Sequence, residues 1–452
     1  MIKLIFLLTG AQVLKARWYW LAVGGLLLMI LGLLIFKDIA DDGLLSVPLD
    51  TLAILLIVEG LVQIAVALIG GLRIAKETLL KGLSFLFIAF LIFNVPSDNN
   101  DVSAILFGIA FFTDGLLRIV SSLVLRGLRW HKRCLTGIAE LILSLVILSD
   151  WPFHHHIGVP LCFALMLLSS GITLLLMARQ IWQLSEECSV TSLKLYHASG
   201  LRKWHGSHYH HPPFPAQPPD LPLTVYVWTP VGSAVVRNRY PLIDRYIAAV
   251  DHRGVVSTGH AALAMPPGCY ISHYPLKEIP RDASRFRAIL RAGEDNDVAG
   301  RFLPSLQEEV ADWCQPDQQV PFARYNSRAL HHFWQSYSAD STYNLTSRNC
   351  SSTVIQAVDV AVEGILAQRA FAGLRLLADP NFWLLGLVRG RAEEMTWTPG
   401  LVLDYVRLLK RVIEPQHSGS GYRRIQDALR LRRRLWRQDS AAGKGTARGQ
   451  VE

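Results

Sequence analysis

Cysteine is scarce in this chain and is not arranged as a framework. The six cysteines, at 134, 162, 188, 269, 314 and 350 of 452 residues, include no CxxC pair. That spacing argues against a disulfide scaffold or a cysteine zinc site, and it fits a reducing compartment. A cleavable leader is not expected either, because the first apolar run continues into a full span without a small-residue cleavage site. Basic residues are nearly missing from one set of loops, where Lys37 stands alone among Asp38, Asp41, Asp42, Asp98, Asp101 and Asp150.

What fills the chain instead is apolar sequence. At 51% hydrophobic residues, the chain carries more than one soluble core needs, and the excess lies in the first 180 residues. Six stretches, roughly 18–36, 49–72, 79–95, 103–125, 134–150 and 158–178, are long and apolar enough to cross a bilayer. The alternate loops collect Lys3, Lys15, Arg17, Arg73, Lys76, Lys81, Arg126, Arg129, Lys132 and Arg133. By the positive-inside rule, the N-terminus and everything after Arg179 are expected on the cytoplasmic side of a bacterial-type inner membrane. A net charge of +9 then suits inner loops and a tail facing anionic lipid, with no nucleic-acid partner expected.

The apolar part repeats. Glu59-Gly60, Asp114-Gly115 and Ser170-Gly171 fall in the middle of the second, fourth and sixth stretches, and Gly25, Gly82 and Gly137 mark the odd ones. A helix hairpin used three times explains this, with the glycines as close-packing points between hairpins. On these repeats and the six spans, residues 10–180 resemble the HdeD-type acid-resistance membrane proteins. The resemblance implies a role in acid or envelope stress and brings no settled molecular activity.

Residues 181–222 form a linker, with His205, His208, His210 and His211 ahead of Pro212, Pro213, Pro215, Pro218 and Pro219. From Leu223 the pattern is soluble α+β. Strands are expected at 225–228, 246–250, 255–265 and 270–274, and helices at 283–292, 300–314, 324–338 and 351–366. Residues 371–421 read as a helical extension suited to a membrane interface or to capping the domain. The segment 422–437 reads as a basic amphipathic helix before a disordered end.

Cys350 stands in Ser347-Arg-Asn-Cys-Ser-Ser352 at the start of the helix 351–366, where Ser347 or Asn349 can cap. A helix N-terminus and a nearby imidazole both favour a thiolate. His260, in Gly259-His-Ala-Ala-Leu263, is the candidate base. If a four-residue loop 265–268 pairs residue 264 with 269, His273 falls opposite His260 and can orient it; a slip of one residue turns His273 to the other face.

The order of His, a further polar residue and then Cys on a helix resembles the circularly permuted papain-like fold, over residues 223–370. That superfamily includes permuted NlpC/P60 peptidases and lecithin–retinol acyltransferase-like proteins. The resemblance implies Cys350 as nucleophile, His260 as general base, His273 as its orienting partner and the Cys350 N–H as an oxyanion donor. Tyr343 and Tyr270 are candidates for the second donor. Its members cleave peptides, transfer acyl groups or attack lipid esters.

Three weaker features remain. Glu59, Asp114 and Glu140 sit in apolar stretches with no base in view, so packing as protonated carboxyls is preferred to a proton path. His154, His155 and His156 read as a solvated loop more readily than as an acid sensor. The linker histidines lack metal spacing. The fold class expected is thus an α-helical six-span membrane bundle of three hairpin repeats (1–180) plus an α+β permuted papain-like domain. Its function would be that of a thiol hydrolase or acyltransferase acting on an amide, peptide or lipid ester, with no metal or organic cofactor and with the bilayer as partner. A homo-oligomer is left open. The rival is a non-catalytic stress protein whose soluble domain binds partners.

Overall fold

The computed structural model describes residues 1–41, 56–58, 60–61, 64, 76–92, 99–127, 130–152, 154–185, 188–193, 196, 211–217, 219–230, 246, 249–250, 256–277, 279, 288, 290–369, 372–377 and 379–414. Glu59, most of the second expected span, His205, His208, His210 and the basic segment 422–437 lie outside the described residues. The chain divides into two compact units. One comprises Met1–Met29, Phe111–Ile142 and Leu168–Glu414; the other comprises Ile30–Ala110, Leu143–Leu167 and Pro415–Glu452.

Helices dominate the first part of the chain: α1 (Ile2–Thr9), α2 (Ala11–Ala16), α3 (Trp18–Asp41), α4 (Lys76–Ile92), α5 (Asn99–Leu125), α6 (Trp130–Leu148) and α7 (His155–Trp182). Among the described residues, three segments are long and apolar enough to cross a membrane: Trp18–Ile39, Ala104–Leu125 and Ile157–Trp182. In α3 only 11% of the most apolar window is buried by protein, so its leucines need an apolar surrounding that the chain does not supply. The third and fifth expected spans are the helices α4 and α6. The first is short at 17 residues, and the second begins with His131, Lys132 and Arg133.

The repeat glycines pair across helices. A Cβ built on Gly115 would lie 2.7 Å from the Gly137 carbonyl, and one on Gly25 would lie 2.9 Å from that of Gly171. In the other unit, Gly60 and Gly82 meet in the same way, at 3.0 Å from the Gly82 oxygen. Only a residue without a side chain allows backbones this close.

Among the described residues, 223–322 carry a five-stranded antiparallel sheet in the order β6-β5-β4-β1-β7, with β1 at Leu223–Trp228, β4 at His260–Met265, β5 at Cys269–Pro275, β6 at Gly300–Phe302 and β7 at Gln318–Phe322. A separate two-stranded ribbon pairs β2 (Ala249–Val250) with β3 (Val256–Ser257). Residues 300–314, expected as one helix, instead give β6 and the shorter α8 (Leu306–Asp312). Gly300–Phe302 is drawn into the sheet by pairing with His273–Pro275. Ser305 then caps α8 by accepting from the Glu308 N–H.

Helices α9 (Ser327–Tyr337), α10 (Cys350–Val362), α11 (Ala372–Leu377), α12 (Pro380–Glu394) and α13 (Pro399–Ile413) complete the unit. In α13, Val402, Leu403, Val406, Leu409 and Ile413 are buried in the main core at i, i+3 and i+4 spacing, each contributing roughly 1.5–3 kcal/mol. The stretch read as an extension beyond residue 370 is therefore part of the domain core.

The first nine residues belong to that core as well. Leu4, Phe6, Leu7 and Leu8 are buried with Val358, Val362, Ile365 and Leu376. The N–H groups of Gly364 and Leu366 donate to the Leu7 and Leu8 carbonyls, each at 2.9 Å. This explains why α10 stops at Val362 rather than running to 366: the following N–H groups bond across to α1, and Gly364 adopts φ +78°. The buried Glu363 carboxylate accepts from the Ser189 hydroxyl at 2.5 Å, from the Val190 N–H at 2.7 Å and from the Ala11 N–H. The expected boundary at residue 180 thus does not separate a membrane part from a soluble part, because α1 and α2 pack with the latter.

Candidate active site

The nucleophile candidate opens α10 behind a complete capping box. Asn349 Oδ1 accepts from the Ser352 N–H at 2.8 Å, and Ser352 Oγ accepts from the Asn349 N–H at 2.8 Å. Asn349 Nδ2 donates to the Leu345 carbonyl at 2.8 Å and the Trp397 carbonyl at 3.1 Å. Cys350 is consequently the first helical residue, where helix geometry leaves its N–H without an intrahelical acceptor.

His260 opens β4, opposite Trp228. The glycine before it is obligatory: Gly259 has φ +71°, and a Cβ there would lie 2.3 Å from the Trp228 carbonyl oxygen. The imidazole is close enough to the Cys350 thiol for each to influence the other's ionisation, and the Ala261 N–H adds to the field at that sulfur. Its Nε2 lies 2.9 Å from Ser272 Oγ and 3.2 Å from Glu309 Oε1. The ring is sandwiched by aromatics, stacked on Tyr274 at 4.0 Å and tilted against Trp228 at 5.6 Å.

The hairpin register departs from the expected one by a single residue. Its loop has three residues, Pro266–Gly268, so Met265 pairs with Cys269 and Ala264 with Tyr270. Gly268, at φ +77°, permits the shorter loop. Because strand side chains alternate, the shift places Ser272 and Tyr274 beside His260 and turns His273 to the opposite face. His273 donates from Nε2 to the Ser341 carbonyl at 3.1 Å and faces the Thr353 hydroxyl at 3.1 Å. It does not orient His260.

That place is taken by Glu309, which the sequence reading missed. The carboxylate is fully buried and accepts from the Tyr270 phenol at 2.5 Å and the Tyr274 phenol at 2.8 Å, besides pairing with His260. The signal available in the sequence was an acid on the apolar face of a short helix, one turn after Leu306 and beside Val310. Tyr270 is thereby committed to the carboxylate rather than to an oxyanion. The Tyr343 ring packs edge-on against His273 at 5.0 Å, away from the role suggested for it.

The electrostatics follow from this geometry. Burial pushes the Cys350 thiol up, but the charge of His260, with the Ala261 N–H and the Ser351 hydroxyl, brings it below the ordinary thiol range. Burial pushes His260 down, and the Cys350 thiolate and Glu309 more than offset it, so the imidazole is more basic than usual. The two shifts describe one thiolate–imidazolium pair. His273 is pushed down to about 4, chiefly by burial, and is neutral. Cys269, by contrast, is pushed up to about 11 by burial alone.

The remaining candidates lie elsewhere. Asp114 and Glu140 do have bases: Arg118 reaches Asp114 at 2.6 Å and Glu140 at 3.0 Å, and Arg391 reaches Asp114 at 2.5 Å. The expectation of unpartnered protonated carboxyls is corrected accordingly, because Arg391 arrives from α12, far along the chain. His154 pairs with Asp150 at 2.9 Å, while the side chains of His155 and His156 lie outside the described residues. Among the described residues, no group of three or more His, Cys, Asp or Glu side chains forms a cation site.

Among the described residues the chain is thus mostly helical, with three helices long and apolar enough to cross a membrane, a small antiparallel sheet and a buried Cys-His-Glu constellation. No family model, curated protein or solved structure matches the chain.

If Glu309 holds the imidazolium, Glu309→Gln should lower thiol reactivity about 10–100-fold. It should also shift the pH profile. Loss of the carboxylate charge lowers the His260 pKa, so the alkaline limit of the ion pair, set by loss of the imidazolium proton, moves to lower pH, while the acid limit, set by Cys350 ionising beside the imidazolium, does not rise. Iodoacetamide alkylation of Cys350 followed against pH measures this; an unchanged profile would assign Glu309 a purely packing role.

Proposed function

We propose that the chain is a membrane-anchored thiol hydrolase or acyltransferase. The observation carrying this reading is Cys350 at a capped helix N-terminus beside His260, with Glu309 behind the imidazole. In the mechanism, His260 takes the Cys350 proton and the thiolate attacks the carbonyl carbon of an amide or ester. The oxyanion forms at the Cys350 N–H, at the positive end of α10. The imidazolium then protonates the leaving group as the bond breaks and a thioester forms, and water or an acceptor deprotonated by His260 resolves it.

A cysteine-bearing helix against an antiparallel sheet that carries the histidine is the arrangement the permuted papain-like resemblance implies, and it supports that assignment. The glycine-paired helices support the HdeD-type resemblance, and with it a role in acid or envelope stress. Loop charges favour six spans in a bacterial inner membrane, with the N-terminus and the thiol domain cytoplasmic. The close burial of Cys350, 8% exposed, favours a second reading in which the shell binds a partner without turnover.

An electrophile titration separates the two. At pH 6 a reactive site should label at Cys350 well before Cys269 and Cys314, whose thiols burial pushes up. Labelling of Cys350 no faster than of those two cysteines would leave the binding role.

A further inference from the structure

We propose that α12 is embedded in the bilayer alongside the membrane helices, with its Trp383, Leu384 and Leu387 face in contact with lipid acyl chains. These three side chains are 50%, 39% and 64% exposed and follow one another at helical spacing. Together with exposed Leu377 on α11 they form a continuous apolar stripe. The opposite face is committed to the domain core through Phe382 and Leu385. Over Phe382–Leu387 the helix is apolar on both faces, so this half has no side suited to water.

Its charges are all paired, Arg389 and Glu393 within the domain and Arg391 and Glu394 partly exposed. Arg389 is bidentate to Asp359 at 2.9 and 2.7 Å, Glu393 takes Lys3 at 2.5 Å, Glu394 takes Arg118 at 2.9 Å, and Arg391 takes Asp114 at 2.5 Å. The charged end of α12 therefore presents no unpaired group to its surroundings, as an apolar medium requires.

The Arg391–Asp114 pair also sets the depth. Asp114 precedes Leu125, the end of α5, by eleven residues, about 16 Å along the helix. Aromatic residues of the kind that sit at a membrane–water interface mark the ends of the neighbouring helices: Trp18 and Trp182 with ring centroids 6.2 Å apart, and Trp130 beneath Arg126. Arg391 thus meets its partner well inside that level. Beside it, α5 and α6 expose Leu116, Leu117, Leu135 and Ile138. Acyl chains that cover those residues would cover the α12 stripe as well.

Photocrosslinking tests this on the full chain in phosphatidylcholine vesicles carrying a diazirine in the acyl chain, with adducts mapped by peptide mass spectrometry. The peptide containing Trp383–Leu387 should take lipid adducts at a yield similar to Leu135–Leu145 of α6. The yield should be about tenfold above the peptide with exposed His331 and Gln335 of α9. Replacing both Leu384 and Leu387 with Lys should remove the α12 adducts and leave those of α6. Adducts on α12 no higher than on α9 would overturn the proposal, as would crosslinks from α12 to a second copy in place of lipid. The outcome does not depend on the thiol chemistry, since Cys350→Ser should label identically.

Discussion

Cys350→Ser should abolish acyl transfer from an activated aryl ester, with a loss of at least about 10³-fold. His260→Ala should cost nearly as much, and the double variant should be no worse than either single one. The reason is that the two side chains form one ion pair: the thiolate is held below the ordinary thiol range by the imidazolium, which the thiolate and Glu309 in turn keep charged. Removing one partner removes the nucleophile in either case, so the losses cannot add. Burst kinetics on a p-nitrophenyl ester, with the trapped thioester located by mass spectrometry, measure the effect. A Cys350→Ser protein that retains the burst would rule out the thiol mechanism, and additive losses would mean the two residues act separately.

A second large effect is expected far from the site in sequence. Leu8→Asp should destabilise the thiol domain by about 4 kcal/mol or more, because it places a carboxylate without a partner in a closed apolar core. Leu8→Ala should cost less, about 2–5 kcal/mol depending on how far the cavity collapses. Leu8 is fully buried among residues of α1 and α10, and its carbonyl accepts from Leu366. Loss of that contact loosens the end of the helix whose first residue is Cys350. Limited proteolysis of the domain, followed together with Cys350 alkylation, reads both consequences. Equal protease resistance in Leu8→Asp and the parent protein would show that α1 is not structurally needed there.

Local signals made much of this legible. Runs of apolar residues mark the membrane-type helices because a bilayer tolerates nothing else over that length. Asn349 or Ser347 as a cap and the apolar spacing of Val354, Val358 and Ala361 announce α10 and put Cys350 at its start. The run around His260, bounded by Pro266-Pro-Gly268, marks it as a strand residue. Each of these depends on neighbours a few residues apart, within reach of capping and periodicity.

Local sequence thus accounts for the membrane-type helices, the cysteine at a helix N-terminus and the histidine on a strand. Which groups surround them was set by long-range packing. A three-residue hairpin loop in place of four moved His273 to the far face and brought Ser272 and Tyr274 to His260. Glu309 entered from α8 because the buried phenols of Tyr270 and Tyr274 and the imidazole required an acceptor. Arg391 found Asp114, and α1 joined a core assembled more than three hundred residues later. Such pairings arise because buried polar groups must be satisfied and apolar faces must be covered by whatever the fold brings near, and local spacing does not carry that information.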